Sequence, residues 1–348
     1  MRGSAAIKYI LYGILVVFII AGIKVSDIYH KAYGANIFTP DKKSLNIYIP
    51  TGAEINDVYA LLYDAKLVKN TNTFEWVAER KKYSRHVHPG RYKIQNRMSN
   101  NDLINMLRAG VQDPVGVVLN NVRTPEELAI KVAEQIEPDT AEILALLYDK
   151  AFIEEMGFNA YTIMGMFIPN TYECWWNISA KGFLERMKKE YERFWNLERT
   201  YKSQRINLNP NEVITLASII ENETNKPEEY RRIAGVYINR LDKGIKLQAD
   251  PTVKYALGDF NIKRVLKKHT DIDSPYNTYK YYGLPPGPIC MPSIRAIDAV
   301  LNYEKHDYLY FCAKDDFSGY HNFARTLAQH NKNAHLYQKA LNRRRILN

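Results

Sequence analysis

The sequence predicts an α+β protein in which a single apolar helix precedes two folded units. The chain has 348 residues, a length typical of about two domains. Hydrophobic residues make up 46% of it, with 26 Tyr and 12 Phe, which favours packed cores over a disordered chain. Helical spacing of apolar residues alternates with short strand-like runs. We therefore expect a membrane anchor, a small α+β module and a larger C-terminal α+β domain.

The first element is an uncharged stretch, residues 9–23, which lies between Lys8 and Lys24. Both lysines can extend their ammonium groups to lipid headgroups while their stems stay in the bilayer. We interpret residues 1–25 as a transmembrane anchor and the polar residues 26–44 as a linker. A cleaved signal peptide and a buried core helix are the alternatives, although the stretch has a poor cleavage site. The flanking charges leave the orientation of the anchor open.

Residues 45–119 are predicted to form the small α+β module. Strand-like alternation, capped helical segments and turns with Pro or Gly follow one another here in short pieces. The predicted strands are 45–49, 91–94 and 115–119, and the predicted helices are 54–65, 73–80 and 99–108.

Residues 120–348 are predicted to form the larger domain. Thr124-Pro-Glu-Glu supplies a capping box and a first-position proline for its first helix. Later predicted helices are 179–203, 210–223 and 227–242, and a predicted hairpin pairs 308–313 with 320–323 through a turn at 314–319.

The helix at 210–223 has the clearest signals. Asn209 suits the N-cap, Pro210 suits the first helical position, and Glu212 suits the partner position of a capping box. Apolar residues then recur at three- and four-residue spacing and define a buried face, formed by Val213, Leu216, Ala217 and Ile220.

The same helix ends in two glutamates that point in different directions. Glu223 lies three residues after Ile220, which returns it to the apolar face, whereas Glu221 is rotated away by about 100°. Desolvation disfavours a charged carboxylate, so an inward Glu223 should have a raised pKa, as a general acid requires. The alternative is an ordinary solvated or capping glutamate at a helix end.

Two later segments allow both a structural and a functional interpretation. Asp250 and Pro251 suit a helix N-cap and first position. Residues 274–279 and 283–288 form a proline-rich irregular stretch, either a rigid loop that lines a sugar cleft or a stiffened surface connection.

Composition and spacing argue against two classes of partner. The net charge of +10 is spread along the chain without a zinc-finger or RNA-recognition pattern, so nucleic acid is not expected. The three cysteines are far apart, and the spacing of His321, His330 and His335 fits no zinc-ligand motif. We therefore expect no metal.

The ordered motifs resemble those of the YceG-like family of endolytic murein transglycosylases, membrane-anchored enzymes that cut peptidoglycan glycan strands. The resemblance covers nearly the whole chain after the anchor, and residues 45–119 are similar to the LysM-like module of that family. The motifs are Ile49-Pro-Thr-Gly52, His88-Pro-Gly-Arg-Tyr92, Leu216-Ala-Ser-Ile-Ile-Glu-Asn-Glu-Thr224, Val236-Tyr-Ile-Asn-Arg240, Leu247-Gln-Ala-Asp-Pro-Thr-Val253, Tyr276-Asn-Thr-Tyr279, Gly283-Leu-Pro-Pro-Gly-Pro-Ile289 and His330-Asn331.

The resemblance implies that residues 120–348 form the catalytic domain, with Glu223 as the acid/base. Two positions depart from the family pattern: Asn222 stands where a basic residue is usual, and Asn170 stands where an aspartate is commoner. The second departure weakens any role for a carboxylate at position 170. The residues implied to bind substrate are Gln248, Asp250, Tyr276, Asn277, Thr278, Tyr279, His330 and Asn331.

The implied reaction cleaves the MurNAc–GlcNAc bond and forms 1,6-anhydroMurNAc, which needs one carboxyl and no cofactor. The implied partners are glycan strands and membrane-bound wall synthases, with the catalytic domain on the extracytoplasmic face of the cytoplasmic membrane. The first alternative is a non-catalytic peptidoglycan-binding scaffold that recruits synthases. A second, a pyridoxal-phosphate lyase, fits poorly because no Gly-rich phosphate loop or strand-borne lysine stands out.

Overall fold

The structure is a computed structural model that describes residues 2–262 and 264–343. The first residue of the predicted anchor and residues 344–348 of the predicted catalytic domain lie outside the described residues. The chain divides into two compact units. One runs to Gly116 and includes Glu173–Ile178, and the other holds Val117–Tyr172 and the chain from Ser179 onward. Helices combine with short two-stranded sheets, so the mixed α and β composition is confirmed.

Helix α1 spans Arg2–Tyr33, and its segment Ile10–Tyr33 has a mean hydropathy of 2.1 with none of it buried. Twenty-four helical residues extend about 36 Å, which exceeds the roughly 30 Å of a bilayer core. The helix therefore has the length and composition to cross a membrane once. It also continues well beyond residue 25, the predicted end of the anchor.

The residues predicted as a linker, 26–44, are in large part ordered structure. The first of them belong to α1, and after Tyr33 the chain packs onto the first unit, where Ile37 is fully buried. The Asn36 amide donates to Oδ1 of Asn100 at 2.7 Å. The polar composition suggested a linker. Composition does not reveal the residues that bury Asn36 and Ile37, because those residues are distant in sequence.

The first unit is a two-stranded sheet with three packed helices. Strand β1 (Leu45–Ile49) pairs antiparallel with β2 (Gly90–Ile94), and alternate residues of each strand point into the core. The helices are α2 (Ile55–Asp64), α3 (Thr71–Arg80) and α4 (Asn100–Arg108). The core that they share includes Ile49, Leu62, Phe74, Tyr92 and Leu103.

A second small sheet pairs β3 (Val115–Leu119) with β4 (Asn170–Cys174). The predicted helix at 179–203 is two helices rather than one, because Trp195 leaves the helical conformation and the Asn196 side chain caps the next helix. The helices of this region are α5 (Pro125–Ala133), α6 (Thr140–Tyr148), α7 (Lys150–Glu155), α8 (Ala180–Phe194) and α9 (Leu197–Arg205).

The rest of the second unit surrounds one buried helix, α10 (Pro210–Glu223), whose residues 213–220 are all buried. It packs most extensively against α11 (Tyr230–Asp242), α12 (Asp250–Leu257) and α14 (Ile294–Leu301), and it also contacts α9. The predicted hairpin is confirmed. The remaining elements are α13 (Lys267–Thr270), β5 (Tyr310–Ala313), its antiparallel partner β6 (His321–Ala324) and α15 (Leu327–Arg343).

Asn100 ties the end of α1 to the first unit, and we expect Asn100→Ala to destabilise this region by about 1–3 kcal/mol. Its fully buried amide donates to the Lys31 carbonyl and to Thr73 Oγ1 and accepts from Asn36, so truncation leaves buried groups unpaired. Hydrogen exchange of the α3 and α4 backbone amides measures the loss of local stability. Asn101→Ala, which removes none of these bonds, is the control. Equal protection in both variants would contradict the prediction.

Candidate active site

A cleft of about 460 Å³ opens in the second unit at the end of α10. Its walls come from the C-terminal end of α10, from α11, from the segment leading into α12, from the β5–β6 hairpin and from the start of α15. The lining residues are Glu223, Tyr237, Arg240, Leu247, Gln248, Asp250, Tyr279, Tyr310, Phe311, Cys312, Ala313, His321, Leu327 and His330.

Glu223 is the last residue of α10 and presents its carboxyl to the cleft. The helix begins as the sequence predicts, with the Asn209 and Glu212 side chains forming a reciprocal capping box. The helical start and the buried apolar face together determine the direction of the last side chain. Tyr237 of the adjacent helix α11 donates its hydroxyl to Glu223 Oε1 at 2.6 Å.

The surroundings raise the pKa of Glu223 to about 7. Burial is the largest cause, because a desolvated carboxylate is costly, and the nearby Asp250 charge raises the pKa further. The Tyr237 hydrogen bond acts in the opposite direction, since it favours the charged form. The carboxyl therefore exchanges its proton near neutrality, which is the property of an effective general acid and base.

Glu221 has a different environment, as the helical spacing predicts. Its Oε2 accepts from the Ser293 backbone N at 2.8 Å and from Ser293 Oγ at 2.6 Å. Ser293 is also the N-cap of α14. Glu221 thus joins two packed helices, and its contacts are structural.

Asp250 is not the N-cap that the sequence predicts. Ala249 holds that position and Asp250 is the first residue of α12, so its carboxyl is free to face the cleft. There Oδ1 accepts from the Tyr279 hydroxyl at 2.5 Å. The prediction was wrong because the residue before Pro251 was taken as the cap on local preference alone, whereas its carboxylate bonds a residue 29 positions away.

Gln248 and His330 complete the predicted residues that reach the cleft. Gln248 has a φ of 53°, an uncommon conformation for a residue other than glycine, and its Oε1 accepts from Arg240 at 3.2 Å. The His330 ring stacks on Tyr310 with centroids 5.4 Å apart. Burial and, to a lesser degree, the Arg240 charge lower the pKa of His330, so its ring favours the neutral form.

Asn277 and Thr278 lie behind the cleft wall instead of on it. Asn277 is fully buried, and its amide donates to the carbonyls of Thr270 and Ile272 at 2.9 and 2.7 Å. Thr278 Oγ1 accepts from the backbone N of Ala249 at 2.9 Å. In this geometry both side chains form hydrogen bonds with backbone groups. The sugar contacts expected of them would need atoms that are already hydrogen-bonded and buried.

Tyr276 and Asn331 also lie outside the cleft lining. The Tyr276 ring packs on Tyr255 with centroids 4.7 Å apart. Asn331 is exposed on α15. The structure thus brings five of the nine predicted site residues together and leaves four elsewhere.

The sequence reasoning missed three residues that line the cleft, Tyr237, Arg240 and His321. It also missed Glu229, which lies behind the lining and bonds His321. Tyr237 and Arg240 are three residues apart, which places them on one face of α11, and that spacing was an available signal. Arg240 is 7% exposed and donates to the carbonyls of Lys246, Leu247 and Leu309 at 2.6–2.9 Å. His321 attracted attention only as an unsuitable zinc ligand.

The fold and the cleft define a protein whose larger α+β unit holds a polar cleft lined by a carboxyl of raised pKa, preceded by an apolar N-terminal helix. A sequence model of the YceG-like family matches residues 47–336. The chain belongs to the YceG-like family.

Similar proteins agree with this assignment. The endolytic murein transglycosylase of Bacillus subtilis (strain 168) is 30% identical over 331 residues, which span 89% of this chain and 90% of that protein. The endolytic murein transglycosylase of Streptococcus pneumoniae (strain ATCC BAA-255 / R6) is 32% identical, over 84% of this chain and 58% of that protein. The crystal structure of a YceG-like protein from Listeria monocytogenes aligns with a TM-score of 0.54 and 29% identity, covering 84% of this chain and 99% of that one.

The raised pKa of Glu223 leads to a pH prediction with opposite signs for two variants. A general acid must start protonated, so kcat/KM should fall as the pH rises through about 7. Tyr237→Phe removes the bond that favours the carboxylate, so the fall should move to higher pH. Asp250→Asn removes a negative charge that favours the protonated form, so the fall should move to lower pH. Shifts in the same direction for both variants would contradict this account.

Proposed function

We propose that the chain is an endolytic lytic transglycosylase that cleaves the MurNAc–GlcNAc bond of peptidoglycan and leaves a 1,6-anhydroMurNAc end. The observation that carries the proposal is the Glu223 carboxyl, whose pKa is raised to about 7 in an open polar cleft. The transglycosylase relatives support the same class of activity. A scaffold that only binds glycan would have no use for a carboxyl that titrates near neutrality.

In this mechanism Glu223 performs both proton transfers. Its protonated carboxyl donates to the glycosidic oxygen as positive charge builds on the anomeric carbon of MurNAc. The resulting carboxylate then takes the proton of the MurNAc C6 hydroxyl while the C6 oxygen bonds to C1. The nucleophile is already part of the sugar, so no water has to be positioned. Glu223 ends the cycle protonated, as it began.

Hydrolysis is the chemical competitor, because Asp250 lies in the same cleft and glycosidases use two carboxylates. Asp250 already accepts the Tyr279 hydroxyl at Oδ1, and this bond between two cleft residues restrains the carboxylate. We therefore assign Asp250 to tuning Glu223 and binding sugar. The chemical form of the product separates the two reactions, since hydrolysis leaves a reducing end and transglycosylation leaves none.

The proposed cellular role concerns where the enzyme acts and on which strands. We infer that α1 holds the enzyme in the cytoplasmic membrane with both units on the extracytoplasmic face, where it acts on nascent strands and limits their length. The module at 45–119, similar to a LysM-like module, would contact glycan, and membrane-bound wall synthases are the expected partners.

We expect Glu223→Gln to abolish the release of anhydromuropeptides from purified sacculi, with a loss of at least about 100-fold. The amide keeps the shape of the side chain and cannot shuttle a proton. Glu221→Gln is the matched control on the same helix and should lose far less activity, because the Glu221 carboxylate bonds Ser293, away from the cleft lining. Mass spectrometry distinguishes anhydro ends from reducing ends. A Glu223→Gln enzyme with more than about a tenth of normal activity would refute the assignment.

The proposed topology predicts that protease added to spheroplasts digests both units while the protein remains in the membrane fraction. The single apolar helix leaves no second crossing among the described residues to return the chain to the cytoplasm. A periplasmic and a cytoplasmic marker protein are the controls. If the units resist protease while the periplasmic marker is cut, they face the cytoplasm and the proposed topology is wrong.

A further inference from the structure

His321 and Glu229 form a second side-chain pair at the cleft, and the proton transfers of Glu223 make no use of it. His321 is the first residue of β6, and Glu229 precedes α11. Glu229 is only 6% exposed. Its Oε1 accepts from the backbone N of His321 at 2.9 Å, and its Oε2 lies 2.7 Å from the Nδ1 of the same residue.

These contacts restrain the imidazole from two sides. A carboxylate accepts hydrogen bonds and cannot donate one, so Nδ1 carries a proton toward Glu229. The edge of the ring also meets Phe311, with centroids 5.3 Å apart and planes at 89°. The orientation of His321 is thus set by a buried carboxylate and an aromatic ring.

The other ring nitrogen of His321, Nε2, is available. No hydrogen bond joins it to any residue in the described part of the chain, and His321 lines the same cleft as Glu223. A buried Glu229 needs donors, and Nδ1 and the backbone N already supply them. The contacts among the described residues therefore leave Nε2 free to form a hydrogen bond with a ligand.

We propose that His321 is a substrate-contacting residue whose Nε2 hydrogen bonds a hydroxyl group of the sugar bound in the cleft. The inference rests on the proposed function, since it takes a glycan as the ligand. A sugar hydroxyl both donates and accepts, so it matches Nε2 whether the ring is neutral or protonated. Glu229 acts through His321 by holding the ring toward the ligand.

Two substitutions separate a sugar contact from a purely structural pair. In His321→Asn the amide nitrogen can take the place of Nδ1 and donate to Glu229, while the atom corresponding to Nε2 is lost. In His321→Gln the longer amide reaches the region of Nε2 and can contact the sugar. A structural role alone predicts that Asn is the better replacement, and a sugar contact predicts that Gln is.

The test measures kcat/KM for sacculus digestion by the full-length chain in detergent, together with its thermal melt. We expect His321→Asn to lower kcat/KM at least about tenfold, which corresponds to about 1.4 kcal/mol, and to melt close to the unmodified protein. His321→Gln should keep more activity than His321→Asn. His335→Asn, on the exposed surface of α15, is the matched control and should behave as the unmodified protein.

A binding measurement keeps the test independent of turnover. In the Glu223→Gln background, adding His321→Asn should weaken the affinity for soluble glycan fragments about fivefold, the effect of one lost hydrogen bond. Normal kcat/KM and affinity in His321→Asn would overturn the inference, as would losses that only follow the fraction of folded protein. Failure of the proposed function gives a different result, which is an unmodified enzyme that releases no anhydro ends.

Discussion

The site depends on one constraint, which is that partial burial raises the pKa of the half-buried Glu223 carboxyl to about 7, where it can both lose and regain a proton. Burial raises this pKa, and the Tyr237 hydroxyl at 2.6 Å offsets part of that effect by favouring the carboxylate. The balance exists only because α10 packs on α11, which brings a tyrosine to the end of the neighbouring helix. Core packing and proton transfer are therefore coupled at this point.

Arg240 extends this coupling to the rest of the cleft. It is buried, and its guanidinium satisfies carbonyls from the β5 hairpin and from the segment before α12, so one cation joins two walls that are distant in sequence. Its charge also lowers the pKa of Glu223. Gly235, on the same helix, allows the chain before the hairpin to come close, since a Cβ there would lie 2.4 Å from the Glu304 carbonyl oxygen.

Sequence patterns predicted the features that depend on neighbouring residues. They were less successful for features that depend on contacts between residues distant in the sequence. The capping box of α10, the two directions of its glutamates and the C-terminal hairpin follow from spacing and turn chemistry, and the structure has them. The break near Trp195 was missed although the capping residue Asn196 was a local signal for it. The cap at Ala249 was missed in a segment whose contacts with Thr278 and Tyr279 join residues 29 positions apart. Glu229 gave no signal, because its partner lies 92 residues away.

The proline-rich loop shows why a motif does not separate supporting residues from contacting ones. Asn277 and Thr278 satisfy buried backbone, and Thr278 bonds the residue between Gln248 and Asp250. Gly287 supports the loop by its small size, since a Cβ there would lie 1.9 Å from the Tyr161 carbonyl oxygen. Within the Tyr276-Asn-Thr-Tyr279 motif, only Tyr279 reaches the cleft. Thr278 holds in place the backbone that carries Gln248 and Asp250, whereas Asn277 holds the preceding turn through the carbonyls of Thr270 and Ile272.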